Sequence, residues 1–448
     1  MSDKTLIQNA RLVNEGRISD SDLLISRGRI EKIAPHIAAD GDTEVVNAAG
    51  RYLLPGMIDD QVHFREPGLT HKGGIRSESR AAAAGGITSF MEMPNTLPPT
   101  VTLDALEDKY VVAAEKSLVN YAFYLGATND NLDVIRALQP GQAAGIKIFM
   151  GASTGNMLVD NEETLAGIFR DAPALIATHC ESTPLIDANL AAALEKYGPE
   201  IPVTEHPNIR SAEACYVSTV LAQELARRYS APLHVLHLST GREMELFEPG
   251  PMADKLITAE ICVHFLHFDS SHYPSHGNRI KCNPAIKTPA DRAALLQALK
   301  DGRLDIIATD HAPHTAEEKA ATDYRKAPSG LPLVQDALLS VLELHHDGDL
   351  GLEQIVRLTA HNVADRFKVV DRGYLREGYW ADLVLVDTET PTPATADRVL
   401  SQCGWTPFEG ETFRSSIART IVNGQTVFDG EAIVETDAAQ RLEIGSQR

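Results

Sequence analysis

Residues 56–65 read GMIDDQVHFR, a short apolar run that closes on a histidine and an arginine. Runs of this kind recur between residues 53 and 372. Seven more strands are predicted at Thr88–Met93, Val119–Leu125, Gly145–Met150, Ala174–Thr178, Leu233–Leu238, Ile257–Phe265 and Asp305–Thr309. Ala- and Leu-rich stretches with helical texture lie between them, at Leu103–Lys116, Asp160–Arg170, Pro184–Lys196, Ala212–Tyr229 and Ala290–Asp301. Apolar strands alternating with helices predict a parallel sheet, and eight is the number that closes a (β/α)8 barrel.

The flanks read differently. Residues 1–52 and 373–448 are rich in β-forming residues punctuated by turn signals such as Asn423-Gly424. Short strands need partners to bury a face. The two flanks are therefore expected to meet in one small composite β-sandwich domain. The expected class is α/β, a TIM-type barrel plus that domain.

Composition narrows the partners. The chain of 448 residues is 43% hydrophobic and carries a formal net charge of -21. That charge disfavours nucleic acid and anionic membrane as partners. It leaves room for a small anionic substrate, because a few local cations can dominate a cleft. No apolar run is long enough to span a bilayer, and the N-terminus lacks the features of a signal peptide. A cytoplasmic location is the expectation. Cys180, Cys215, Cys262, Cys282 and Cys403 form no CxxC pair and read as reduced, buried thiols. Cys180 follows His179 directly, but alternation on a strand points the two to opposite faces.

In such a barrel the active site gathers at the C-terminal ends of the strands. There the sequence places His63, Asn95, Lys147, His179, His237 and Asp310. A single histidine at a strand end is more often a core or capping residue, and an aspartate there is commonly an N-cap or turn residue. Lys147 is the exception, because an unpaired buried ammonium is costly. Three histidines, an aspartate and a buried lysine at one mouth have no packing rationale. Imidazole and carboxylate are zinc-type ligands.

The segments DDQVHFREPG, MEMPNT, GIKIFMG, THCES, HVLHLST and ATDHAPHTAEEK resemble the successive motifs of the cyclic amidohydrolases. That group contains dihydroorotase, allantoinase and dihydropyrimidinase, and the last segment is similar to the dihydroorotase signature. The resemblance runs from about Arg51 to Asp371. It implies one or two Zn²⁺ ions per chain, with His63 and Asp310 on the first and His179 and His237 on the second. It implies that Lys147 reacts with CO2 to give a bridging carbamate, and that Asp310 is the general acid/base. Gln61 stands where the family usually has histidine, and an amide oxygen is a poorer zinc donor than imidazole. Lys287 stands where relatives usually carry arginine.

The expected substrate follows from charge. Dihydroorotate carries a carboxylate, whereas allantoin and dihydrouracil do not. Arg65 offers a planar fork for it, although an ion pair with Glu66 is the plainer reading of that residue. Asn95 and His314 match two further carboxylate contacts, and Asn283 matches a contact to the substrate ring. His311 and Pro313 read as turn residues. The reaction implied is reversible interconversion of dihydroorotate and N-carbamoyl-L-aspartate in pyrimidine biosynthesis, with Thr315–Pro332 as a lid. A homodimer or homotetramer is expected by analogy. Two rivals stand beside this reading: an allantoinase or dihydropyrimidinase, and an inactive scaffold for aspartate transcarbamoylase, which only Gln61 favours.

Overall fold

Eight parallel strands form in the order the apolar runs predict. The computed structural model describes residues 4–151 and 157–447. The barrel strands are β1 (Met57–Val62), β2 (Ile87–Glu92), β3 (Asn120–Phe123, continued by Leu125–Gly126), β4 (Ile146–Phe149), β5 (Ile176–His179), β6 (Leu233–Val235), β7 (Ile257–Cys262) and β8 (Ile306–Ala308). Each pairs in parallel with the next. The ring closes where Val62 bridges His311, with the His63 amide donating to the His311 carbonyl at 2.7 Å. The closed ring of eight parallel strands is a TIM-type barrel, and a β-rich sheet is added to it.

The helices Leu103–Lys116 and Ala212–Tyr229 have the predicted bounds. Thr102 and Ser211 cap them, each accepting a backbone N–H from three residues on. Most strands are shorter than expected. β6 stops at Val235, and β7 stops at Cys262 and turns into a short helix, Val263–His267. β8 offers partners only up to Ala308, opposite Cys262, so the ladder has nothing to extend along. His311 is not a turn residue. It bridges both Val62 and Leu331, and its ring pairs with Glu78 at 2.9 Å with neither side chain exposed.

Barrel interiors are usually filled by branched aliphatics. This one carries Asp59, Asp60, His234 and Glu260, all fully buried. Thr309 donates to Asp59 from its amide at 3.1 Å and its hydroxyl at 2.6 Å. Burial pushes the Asp59 carboxyl up to about 8.

The flanks share one eight-stranded sheet. Lys4–Asn14 pairs with Arg17–Ser26 on one side and with Tyr52–Pro55 and Glu44–Asn47 on the other. Tyr52–Pro55 continues into Leu383–Asp387, and from there into Ser416–Val422 and Gln425–Phe428. Two later segments return to the barrel. Trp405 donates its indole N–H to the His314 carbonyl at 2.8 Å, and Leu442 donates its amide to the Tyr121 carbonyl at 2.9 Å. No helix among the described residues is long and apolar enough to cross a membrane.

A buried polar knot joins the sheet to the barrel. Arg372 donates to Asp382 and, at 2.7 Å, to the Asn423 side chain. Asn120 of β3 donates to Asp382 at 3.1 Å, and Asn423 donates to Asn120 at 2.7 Å. Removing one member of a buried ion pair leaves the other charge uncompensated, at a cost of about 3–5 kcal/mol. Arg372→Met is therefore expected to lower the midpoint of urea unfolding well below that of the parent chain. An unchanged midpoint would show that the knot carries no weight.

Candidate active site

The strand ends open into a cavity of about 430 Å³. All ten site residues expected from the sequence line it: Gln61, His63, Arg65, Asn95, Lys147, His179, His237, Asn283, Asp310 and His314. Three of them, Arg65 (φ 68°), His237 (φ 42°) and Asp310 (φ 51°), occupy the left-handed backbone region. Side chains other than glycine adopt it at a cost, and such strain gathers at functional sites.

The candidate metal ligands form two pairs. His63 Nε2 stands 3.0 Å from Asp310 Oδ1, while His63 Nδ1 is held by Asn95 Oδ1 at 2.7 Å. His179 Nδ1 and His237 Nε2 face each other at 2.9 Å. His179 Nε2 is held by Glu181 Oε2 at 2.9 Å, and Glu181 is paired in turn with Arg210. A carboxylate on the far nitrogen is how metal-ligating histidines are usually oriented. Burial lowers the His179 pKa against the pull of Glu181, and burial with the charge of His179 drops His237 well below its ordinary value. Both rings are thus neutral ligands near pH 7.

Lys147 is 1% exposed, and among the described residues it makes no hydrogen bond or ion pair. Its ammonium sits 4.7 Å from the centre of the Phe149 ring. Burial pushes its pKa down to about 8, against the attraction of Asp310 and Glu260. An appreciable share is therefore free amine near neutrality, the form that reacts with CO2. Its charge also lowers His63, His179 and His237, so it acts on both pairs.

Asp310 has opposing influences. Burial would raise its pKa, but the hydrogen bond and charge of His63, with His237 and His264 near, hold it well below the usual carboxylate range. Gln61 turns its amide nitrogen to Asp310 Oδ1 at 3.2 Å and its oxygen toward the Cys262 thiol at 3.8 Å. It offers no ligand atom to the His63–Asp310 pair. The other donors fit a divalent ion: one imidazole–carboxylate pair and one pair of imidazoles line the same cavity, together with a buried lysine that has no ion-pair partner among the described residues.

A cationic corner lies beside the first pair. Arg65 is 7% exposed, donates to the Pro313 carbonyl at 3.2 Å, and meets His314 Nε2 at 3.1 Å. Lys72 reaches His314 Nδ1 at 3.1 Å. Glu66 does not pair with Arg65; it binds Lys116 and the Ile75 amide. Asn283 Oδ1 is buried without a hydrogen-bond partner. Thr315–Pro332 supplies Tyr324 and residues 327–330 to the cavity wall. It is held by Lys319, whose buried ammonium donates to the carbonyls of Lys281, Pro328 and Gly330 at 2.9–3.1 Å.

Sequence reading missed Glu181, Arg210, Lys319 and His264. Glu181 was within reach, since it lies two residues after His179 and shares its direction. Arg210, on a loop, gave no signal. Cys180 points away from the cavity, with its thiol on Thr178.

A barrel with histidines and a buried lysine at its strand ends is that of a metal-dependent cyclic amidohydrolase. The chain belongs to the amidohydrolase family, which it matches over residues 52–427. A dihydroorotase from Halobacterium salinarum is 35% identical over 430 residues, covering 94% of this chain and 96% of that one. An allantoinase from Bacillus velezensis is 31% identical over 433 residues, covering 96% and 94%. The solved L-hydantoinase (dihydropyrimidinase) from Arthrobacter aurescens superposes with a TM-score of 0.92 over 99% of this chain and 100% of its own, at 27% identity.

Two outcomes are expected. A free imidazole is about three-quarters protonated at pH 6. His237, lowered well below its ordinary value, should remain mostly neutral at pH 6 in metal-free protein by 15N NMR, and His179 should be less protonated there than a free imidazole. Charged rings there would contradict the burial argument. Glu181→Gln should weaken metal binding about 10- to 100-fold in a chelator competition.

Proposed function

We propose that the chain is a dihydroorotase, catalysing reversible hydrolysis of (S)-dihydroorotate to N-carbamoyl-L-aspartate for pyrimidine synthesis. The observation that carries this is Arg65. It is a buried guanidinium at the cavity wall, and no carboxylate pairs with it among the described residues. A buried charge without a counter-charge is costly, and a substrate carboxylate would supply one. The dihydroorotase relatives support the same reading.

One or two Zn²⁺ ions would be held by His63, Asp310, His179 and His237, with Lys147 as a carbamate. Formation of that carbamate would join the neutral lysine nitrogen to CO2 and release one proton; counted from the ammonium two protons leave, and a cation becomes an anionic ligand. When bound, the metal supplies Lewis acidity toward the ring carbonyl and lowers the pKa of water. Asp310, ionised at neutral pH, accepts the proton of the attacking water. It returns that proton to the ring nitrogen as the C–N bond breaks, serving as base and then acid. Arg65, His314 and Asn95 orient the substrate carboxylate and its surroundings, and Asn283 Oδ1 accepts a ring N–H. Every residue invoked comes from one chain. The proposal therefore holds for a monomer, homodimer or homotetramer, with or without aspartate transcarbamoylase.

An allantoinase or hydantoinase reading keeps the metal set but gives Arg65 no anion to bind. Protein supplied with Zn²⁺ and bicarbonate should turn over L-dihydroorotate and neither allantoin nor dihydrouracil. Arg65→Asn should lower kcat/KM for dihydroorotate by about 10²-fold or more, as loss of a charged hydrogen-bonding partner does. Asp310→Asn should lower kcat by about 10²- to 10⁴-fold. Turnover of allantoin or dihydrouracil in preference would overturn the assignment. A folded protein inactive on all three would favour the scaffold.

A further inference from the structure

Beneath the mouth, the barrel interior holds a second set of metal-type donors that the reaction above does not use. Asp60 on β1, His234 on β6 and Glu260 on β7 are each 0% exposed. One ligand atom from each lies within 4.8 Å of the other two. His234 Nε2 is 3.3 Å from Asp60 Oδ2 and 3.1 Å from Glu260 Oε2. The other ring nitrogen, Nδ1, meets the Thr258 hydroxyl at 2.8 Å, which fixes the ring and aims Nε2 at the carboxylates.

Three features separate this set from an ordinary buried hydrogen-bond cluster. The first is a surplus of acceptors. One imidazole N–H serves one oxygen well, and both Asp60 oxygens are buried without a hydrogen-bond partner. The second is charge. Among the described residues no lysine or arginine pairs with either carboxylate; His234 is the sole ion-pair partner of both. Burial and the neighbouring Asp60 push the Glu260 carboxyl well above its ordinary value, so without an ion the set limits its charge by holding a proton between the two carboxylates, and a divalent cation would take that proton's place. Uncompensated charge in a closed interior is strongly unfavourable. The third is spacing. Donors held at about 2.0–2.1 Å around a tetrahedral zinc stand about 3.3 Å apart, close to the two distances found. A hydroxyl on the far ring nitrogen also suits a ligating histidine.

We propose that Asp60, His234 and Glu260 form a divalent-cation site in the barrel core, of the zinc type, distinct from the mouth. The site is structural, being closed to substrate. It also reaches the mouth. Glu260 commits Oε2 to the core set, and its Oε1 accepts the backbone N–H of His237 at 3.0 Å. The core ion thus fixes the carboxylate that holds His237 in its left-handed conformation. The strand allows this arrangement because β1 slips register between Asp59 and Val62. Consecutive residues then both turn inward, Asp60 to the core and Gln61 to the cavity.

The test uses the full chain purified with Zn²⁺ and no other divalent metal. Anomalous diffraction at the zinc edge should place one peak between Asp60, His234 and Glu260, apart from any peak among the mouth residues. Elemental analysis should show that the isosteric Asp60→Asn variant holds about one ion per chain fewer than the parent. Zinc at the mouth alone, or an unchanged metal count in a folded Asp60→Asn variant, would overturn the core site. If that variant does not fold, the diffraction result on the parent chain decides alone. Neither readout depends on turnover, so a failed core site leaves the proposed reaction untouched, and the reverse holds too.

Discussion

A buried lysine ammonium with no acid to pair with among the described residues is the constraint around which the mouth is arranged. Desolvation makes its charge expensive and draws its pKa toward neutrality. Burial lowers the pKa values of His63, His179 and His237, and the charge of Lys147 adds to that lowering. Under the proposed function the lysine's relief would be chemical, by conversion to an anion. The rest of the site follows the same pattern. Arg65 is a buried cation without a counter-ion, and Asn283 Oδ1 is a buried acceptor without a donor. Under the proposed function, these costly groups would become attractive partners for metal and substrate.

The barrel was legible because β1 to β8 are short apolar runs between helices with clear starts, as at Thr102 and Ser211. Their ends were less legible. Propensity alone carries β7 on to Phe265, but strand length is set by the neighbouring ladder, and β8 stops opposite Cys262. His311 was misread for the same reason, since the parallel closure to Val62 joins residues distant in sequence. The residues with chemistry were found where periodicity fixes direction, as with His63 and His179. Those brought in by loops were not. Arg210 reaches Glu181 from a separate segment, and nothing in its own neighbourhood in the sequence reports the meeting.

Substrate selectivity, by contrast, is assembled from outside the barrel strands. Thr315–Pro332 walls the cavity and is anchored by one buried ammonium on three carbonyls. Trp405, from the far end of the chain, supports the His314 backbone. The strands hold the metal-type ligands rigidly, and the added segments shape what can approach them.

The composite sheet has a consequence for synthesis on the ribosome. Its central pairing joins Tyr52–Pro55 to Leu383–Asp387, strands separated by more than 300 residues. At ordinary translation speeds of about 5–20 residues per second, the early strands wait for roughly a quarter of a minute to a minute before their partners emerge. Through that interval Tyr52–Pro55 is an unpaired edge, and the barrel must close beside it without the support of the finished sheet. The nascent chain is thus most exposed to mispairing just when its catalytic half is already complete.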